Sequence, residues 1–260
     1  MKKIFISAVG NAFITDIRKL KQKKHRDRTG LFYAEGKKLL QEALKSGLRI
    51  RYIICVDSIR DGFQYEGAAL VTVTREVYKK ITDEEAFEGV MCVVEKPAEA
   101  AVLSYKKPVI VLCSVGDPGN VGAIIRTADA LGGVDIILSG GCADIYSSKT
   151  QRAAMGAVFR QNIKISKNLS EDIAILKKNG YNVLAAHLDK DSRPIEEIDF
   201  SKKTVVLFGS EGAGLEAETV AACDGKMIIP INPRSESLNV SMAAGIVMWE
   251  MKKQGGQSFV

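Results

Sequence analysis

The stretch Val109-Ile110-Val111-Leu112-Cys113, an unbroken apolar run that ends at a turn, limits the fold more than any other feature of the sequence. A strand with one wet face alternates apolar and polar residues. A continuous run therefore predicts a strand buried on both faces, as in a parallel sheet covered by helices. Strand-like runs return at Val134–Leu138, Asn182–Ala186, Thr204–Phe208 and Lys226–Ile229, with helical segments among them at Ser148–Val158 and Asn239–Lys253. This alternation predicts an α/β fold, a mostly parallel sheet with helices on both faces. Ligands of such sheets bind at the carboxyl ends of the strands.

A chain of 260 residues suits two medium domains. Residues 1–97 read as a small N-terminal α/β domain. It holds a basic helix, then Leu31–Gly36 and Leu39–Leu44 with helical apolar spacing and a stop at Gly47. Strands follow at Tyr52–Val56, Leu70–Val73 and Val90–Val94, with a short helix at Val77–Ile81. Residues 98–108 read as a linker, residues 109–260 as the second domain, and Gly255–Val260 as a frayed tail. The start Met1–Ala8 leads into Asn11, Asp16 and Arg18, which reads as part of the fold and not as a signal peptide. No apolar run approaches the roughly 20 residues of a bilayer span, and the expected setting is the cytoplasm, away from membranes.

The net charge of +6 hides an asymmetry: residues 1–51 hold 14 Lys/Arg against 4 Asp/Glu, a surplus of +10, which leaves −4 for the rest. The dense part carries Arg18, Lys19, Lys21, Lys23, Lys24, Arg26 and Arg28, the candidate nucleic-acid contacts. Basic runs are commonly just solvated helix faces. Concentration in one domain, opposite an acidic remainder, favours nucleic acid. The five cysteines Cys55, Cys92, Cys113, Cys142 and Cys223 show no C-x-x-C spacing, and the only histidines are His25 and His187. Neither a zinc site, another metal nor a disulfide framework is expected, and Cys113 reads as a buried structural thiol.

Three segments carry chemistry. In Asp117–Gly132, the turn Asp-Pro-Gly-Asn offers Asn120 as a helix N-cap, and Arg126 stands in an otherwise Ala-, Ile- and Leu-rich helix. Arg126 reads either as an ion-pair partner of Asp129 or as a fork aimed at phosphate. In Val205–Leu215 a buried strand runs into Gly209-Ser210-Glu211-Gly212-Ala213-Gly214, which is neither the dinucleotide fingerprint nor a P-loop. In Ile228–Gly245 a strand passes through a proline-interrupted polar loop into a helix that Ser237 or Asn239 could cap.

In this order, N-V-G-A-I-I-R-T-A-D-A-L-G, F-G-S-E-G-A-G-L and I-P-I…S-L-N-V-S-M-A-A-G resemble the three signature motifs of the SpoU/TrmH family of RNA 2′-O-ribose methyltransferases, in the SPOUT superfamily. The basic N-terminal stretch is similar to that family's substrate-binding domain. Ser210 stands where the family usually has Asn. The resemblance implies a C-terminal trefoil knot, a homodimer and S-adenosyl-L-methionine as cofactor. It also implies that Gly209, Ile229 and Leu238 hold the adenosine part, and that Asn120, Arg126, Glu211, Ser237 and Asn239 form the reaction site. A guanidinium is a poor base, so Arg126 is read as a clamp on phosphate and on developing 2′-oxyanion charge. The implied substrate is structured RNA, ribosomal (23S) before transfer RNA. The alternative is a non-catalytic ribosome-associated RNA-binding protein; a closer rival keeps the enzyme and moves the methyl to a base.

Overall fold

A computed structural model of the chain describes residues 3–62, 67–83, 88–97 and 103–255. Part of the expected linker (98–102) and most of the expected tail (256–260) lie outside the described residues. The chain forms two compact units: Met1–Glu99 with Asp144–Arg160, and Ala100–Ala143 with Gln161–Val260.

The first unit runs β1 (Lys3–Ile6), α1 (Ala12–Lys19), α2 (Lys23–Thr29), β2 (Leu31–Glu35), α3 (Lys37–Lys45), β3 (Ile50–Val56), β4 (Ala69–Val73), α4 (Arg75–Ile81) and β5 (Val90–Glu95). Its five strands are ordered β1-β4-β3-β5-β2; β4 pairs parallel with β1 and β3, and β5 antiparallel with β3 and β2. Two expectations change here. The basic run forms two short helices, α2 closing on Gly30 in the left-handed region (φ 66°). Leu31–Glu35 is a strand, with Phe32, Tyr33, Ala34 and Glu35 all buried. A short apolar run fits either period, and burial on both faces selects the strand.

The second unit runs β6 (Val109–Leu112), α5 (Pro118–Leu131) and β7 (Asp135–Leu138). The chain then gives α6 (Ser148–Ala154) to the first unit and returns as β8 (Ile163–Ile165), α7 (Leu169–Lys178), β9 (Asn182–Ala186), β10 (Arg193–Pro194), β11 (Thr204–Phe208), α8 (Ala217–Ala221), β12 (Gly225–Ile228) and α9 (Val240–Gln254). Its seven strands are all parallel, in the order β10-β12-β9-β11-β6-β7-β8. Alternate residues Val109, Val111, Ile137, Val183, Val205 and Leu207 share one buried cluster with Ile173 and Leu176 of α7. The intervening Ile110, Leu112, Ile136, Leu184 and Val206 are equally buried, as a sheet covered on both faces requires. Each such side chain contributes about 1.5–3 kcal/mol on burial. α5 and α9 pack on each other, with Ile124, Ile125, Ala244, Val247 and Met248 buried.

The segment Asp144–Arg160, read from the sequence as part of the second domain, is held within the first unit. Arg26 pairs with Asp144 at 2.6 Å, Gln151 Nε2 donates to Tyr33 O at 2.9 Å, and Phe32 packs against Tyr146 (tilted) and Phe159 (stacked) with centroids 4.7 and 6.0 Å apart. The expected helix Ser148–Val158 breaks at Met155, which takes a left-handed conformation (φ 51°), and a 3-10 turn follows at Ala157–Phe159.

Candidate active site

β9, β11 and β12 are neighbours or next neighbours in the parallel sheet, so their carboxyl ends open on the same side. The three loops leaving them enclose a cavity of ≈ 590 Å³. Leu188, Phe208, Ile229, Ile231 and Leu238 supply apolar wall, and Ser210, Glu211 and Ser237 supply polar groups. That size and mixture suit a nucleoside-sized ligand. Leu188, 77% exposed, projects at the rim.

The floor is set by Gly209. Its main chain lies so close to that of Gly214 and Leu215 that a Cβ would sit 2.0 Å from Gly214 C. The loop closes through Gly214 N–H donating to Ser210 O at 2.9 Å, with Gly214 at φ 66°. In the facing loop Ile231–Leu238, the hydrogen bonds are Arg234 N–H to Asn232 Oδ1 (3.0 Å) and Ser235 N–H to Asn232 O (2.9 Å). Most of its main-chain donors and acceptors are thus open to a ligand.

At the start of α5 the cap differs from expectation. Asp117 is the N-cap, its Oδ1 accepting from Asn120 N–H at 2.8 Å, and Pro118 occupies the first turn. Asn120 therefore sits inside the helix with its amide free for other partners. Asn120 Nδ2 donates to Glu211 Oε1, and Asn120 Oδ1 accepts from Asn239 Nδ2 at 3.0 Å. Asn239 is itself the N-cap of α9, its Oδ1 accepting from Ser241 N–H at 2.9 Å. Ser237 lines the cavity and caps nothing. One hydrogen-bonded chain, Asn239 to Asn120 to Glu211, thus fixes the carboxylate at the cavity wall from two helix starts.

Of the eight residues expected in the reaction and cofactor sites, seven come together: Gly209, Glu211, Ile229, Ser237 and Leu238 line the cavity, and Asn120 and Asn239 bond to its edge. Arg126 stands apart. It lies six residues beyond Asn120, about 9 Å along the helix, is exposed, and forms no ion pair among the described residues, with Asp129 or any other.

The basic run divides as well. Arg26 is 3% exposed, paired with Asp144 and donating to Leu20 O (2.7 Å) and Lys21 O (2.8 Å). It is a core residue of the first unit, which corrects its expected role as an RNA contact. Lys21 is half-buried, tied to Asp83 (2.7 Å) and Thr82 O (2.7 Å). Lys19, Lys23 and Arg28 are exposed with local partners Asp16, Asp27 and His25, while Arg18 and Lys24 are exposed without one among the described residues. Cys113 is buried, and that burial pushes its thiol up to about 12, as an inert structural cysteine requires. The sequence reading missed Leu188 and Asp117. The end of β9 was the signal for the first, and the turn residue one place before Pro118 for the second.

Comparisons with known proteins point one way. The SpoU rRNA Methylase family matches residues 107–249, and the MRM3-like substrate binding domain matches residues 11–92. The chain is 32% identical over 248 residues to the 23S rRNA (guanosine(2553)-2′-O)-methyltransferase RlmP of Bacillus subtilis, spanning 95% of this chain and 98% of that one. It is 34% identical over 157 residues to the Escherichia coli tRNA (guanosine(18)-2′-O)-methyltransferase, spanning 59% of this chain and 67% of the relative. Among solved structures it is similar to an AdoMet-bound rRNA methyltransferase from Sinorhizobium meliloti, with a TM-score of 0.84, 34% identity, and 96% and 98% of the two chains covered.

Proposed function

The chain belongs to the SpoU rRNA methylase family of RNA ribose 2′-O-methyltransferases, and from that membership we propose that it methylates ribosomal RNA, 23S before transfer RNA, with S-adenosylmethionine as donor. The observation that carries this reading is the cavity beyond β9, β11 and β12 with Glu211 fixed at its wall by Asn120 and Asn239. Its apolar walls and open main-chain groups fit an adenosine, with Gly209, Ile229 and Leu238 holding it. The donor supplies an electrophilic methyl on a sulfonium. The chain's own work is alignment and electrostatics, which suits a displacement in line. Asn120 orients Glu211, and Ser237 adds a hydroxyl at the same wall. Arg126 remains free to take a phosphate beside the acceptor ribose with its planar fork. The knotted path that the family resemblance implies, against the usual rule for connections, is part of the same proposal. The cytoplasmic setting belongs to this proposal too.

Labelled donor should transfer methyl to ribosomal RNA at a single 2′-oxygen, found by mapping the modified nucleotide. Label on a base, or on transfer RNA alone, would overturn the substrate. In the same assay Arg126→Lys should lower kcat about a hundredfold with donor affinity unchanged. Near-normal turnover with normal RNA binding would remove the two-pronged clamp.

The homodimer is also proposed. Met242 and Trp249, 62% and 46% exposed, lie two turns apart on one face of α9. Light scattering should give about twice the 28.3 kDa chain mass; a monomer at working concentration would refute it.

A further inference from the structure

The second unit contains four Lys-Lys pairs, and the fold carries all of them to the amino-end edge of the sheet, where its strands begin, opposite the cavity. Lys106-Lys107 precede β6 and Lys202-Lys203 precede β11, so both mark the amino ends of parallel strands. Lys177-Lys178 end α7, one turn before β9 begins, and Lys252-Lys253 end α9. Bonds tie these ends together: Tyr181 Oη donates to Lys107 O (2.7 Å), Lys203 Nζ to Asn179 O (3.3 Å), and Phe200 N–H to Gln254 Oε1 (2.8 Å). Lys106, Lys202, Lys203 and Lys252 line one hollow of ≈ 160 Å³.

Counter-charge offsets only part of these eight lysines. Asp224 pairs with Lys177 (2.8 Å), Asp199 with Lys202 (3.3 Å) and Glu250 with Lys253 (2.7 Å), Asp129 stands in the last turn of α5, and Asp135 is buried at the start of β7. Lys106, Lys107 and Lys178 have no ion pair among the described residues. Compensation of helix dipoles accounts for lysines at the ends of α7 and α9. It does not account for the two pairs in the strand-leading loops. An acidic rest of chain makes the concentration sharper, since residues 52–260 sum to −4.

We propose that this edge grips phosphates of the substrate RNA at a point remote from the methylated nucleotide; the proposal rests on the RNA methyltransferase reading above. Lysine is depleted in protein–protein interface cores, and a membrane-lying surface needs an apolar face, which the strand-leading loops lack. A polyanion is the partner left. β11 alone puts the edge about 17 Å from the carboxyl ends of the strands, so only an RNA large or folded enough to reach both can use it.

The test replaces Lys106, Lys107, Lys202 and Lys203 by glutamine, leaving the helix-end lysines in place. Binding is measured over a range of salt, for full-length ribosomal RNA and for a short fragment around the methylated nucleotide. The variant should bind the long RNA on the order of ten- to a hundredfold more weakly, with a shallower salt dependence. It should bind the short fragment, and S-adenosylmethionine by calorimetry, as the unaltered protein does. Unchanged affinity and salt slope on the long RNA would overturn the proposal, and so would an equal loss on the short fragment. Failure of the premise reads differently: the unaltered protein would then transfer methyl to no RNA, whatever the lysines do to binding.

Discussion

Gly209→Ala is expected to abolish measurable S-adenosylmethionine binding and to lower methyl transfer by at least about a hundredfold, with the first unit still folded. The three atoms nearest the added Cβ would all be main chain: Gly214 C at 2.0 Å, Gly214 O at 2.1 Å and Leu215 N at 2.4 Å. A side chain could swing aside; a main chain held by the Gly214 N–H to Ser210 O bond cannot without opening the loop. Opening moves Glu211 away from Asn120 and takes out the wall that would hold the adenosine. Shifts of about 1 Å at a reacting centre already cost roughly a hundredfold. Gly212→Ala is the control on the same loop, because a Cβ there meets nothing within 4 Å and its φ is ordinary. Calorimetric titration with the donor decides the matter. Binding by Gly209→Ala within a few fold of the unaltered protein would show that this loop is not the cofactor wall.

Gly209 was legible in the sequence only in company. A glycine-rich turn alone is weak, and so is a polar loop before a helix. Their joint order with the Asn120 segment, through its resemblance to the SpoU/TrmH motifs, is what singles them out. The core of the second unit is legible for a simpler reason: strands buried on both faces leave continuous apolar runs, and Val109–Leu112 and Val205–Phe208 are such runs. Short elements without that signature escaped, such as β8 with three residues and β10 with two. Leu31–Glu35 was ambiguous because five residues sample neither period fully. Asn120 reads as a cap because Asp and Asn both carry a side-chain oxygen that can accept from a helix N–H, and only the fold shows that Asp117 does so. Leu188 carries no motif at all, and its place follows from where β9 ends.

Arg26 shows what composition cannot supply, since its partner Asp144 is 118 residues away. In a run of exposed cations it looks like one more phosphate contact. In the fold its side chain is 4% exposed and that of Asp144 is 12%. Its loss would be a loss of stability. Arg26→Met should destabilise the first unit by roughly 3–5 kcal/mol, because Asp144 is left with its charge uncompensated. The carbonyls of Leu20 and Lys21 lose their donor at the same time. A fall in melting temperature on the order of 10 °C follows for a unit of this size. High salt should restore little of it, since ions in solution have little access to the Asp144 carboxylate, 12% exposed. Adding Asp144→Leu should recover much of the loss, because an apolar pair of similar volume removes the stranded charge. Lys24→Ala, at an exposed position on the same helix, should leave melting unchanged and act, if at all, on RNA affinity and its salt slope. Should Arg26→Met melt like the unaltered protein and bind RNA more weakly, the ion pair would lose its structural role and the basic run would regain Arg26 as an RNA contact.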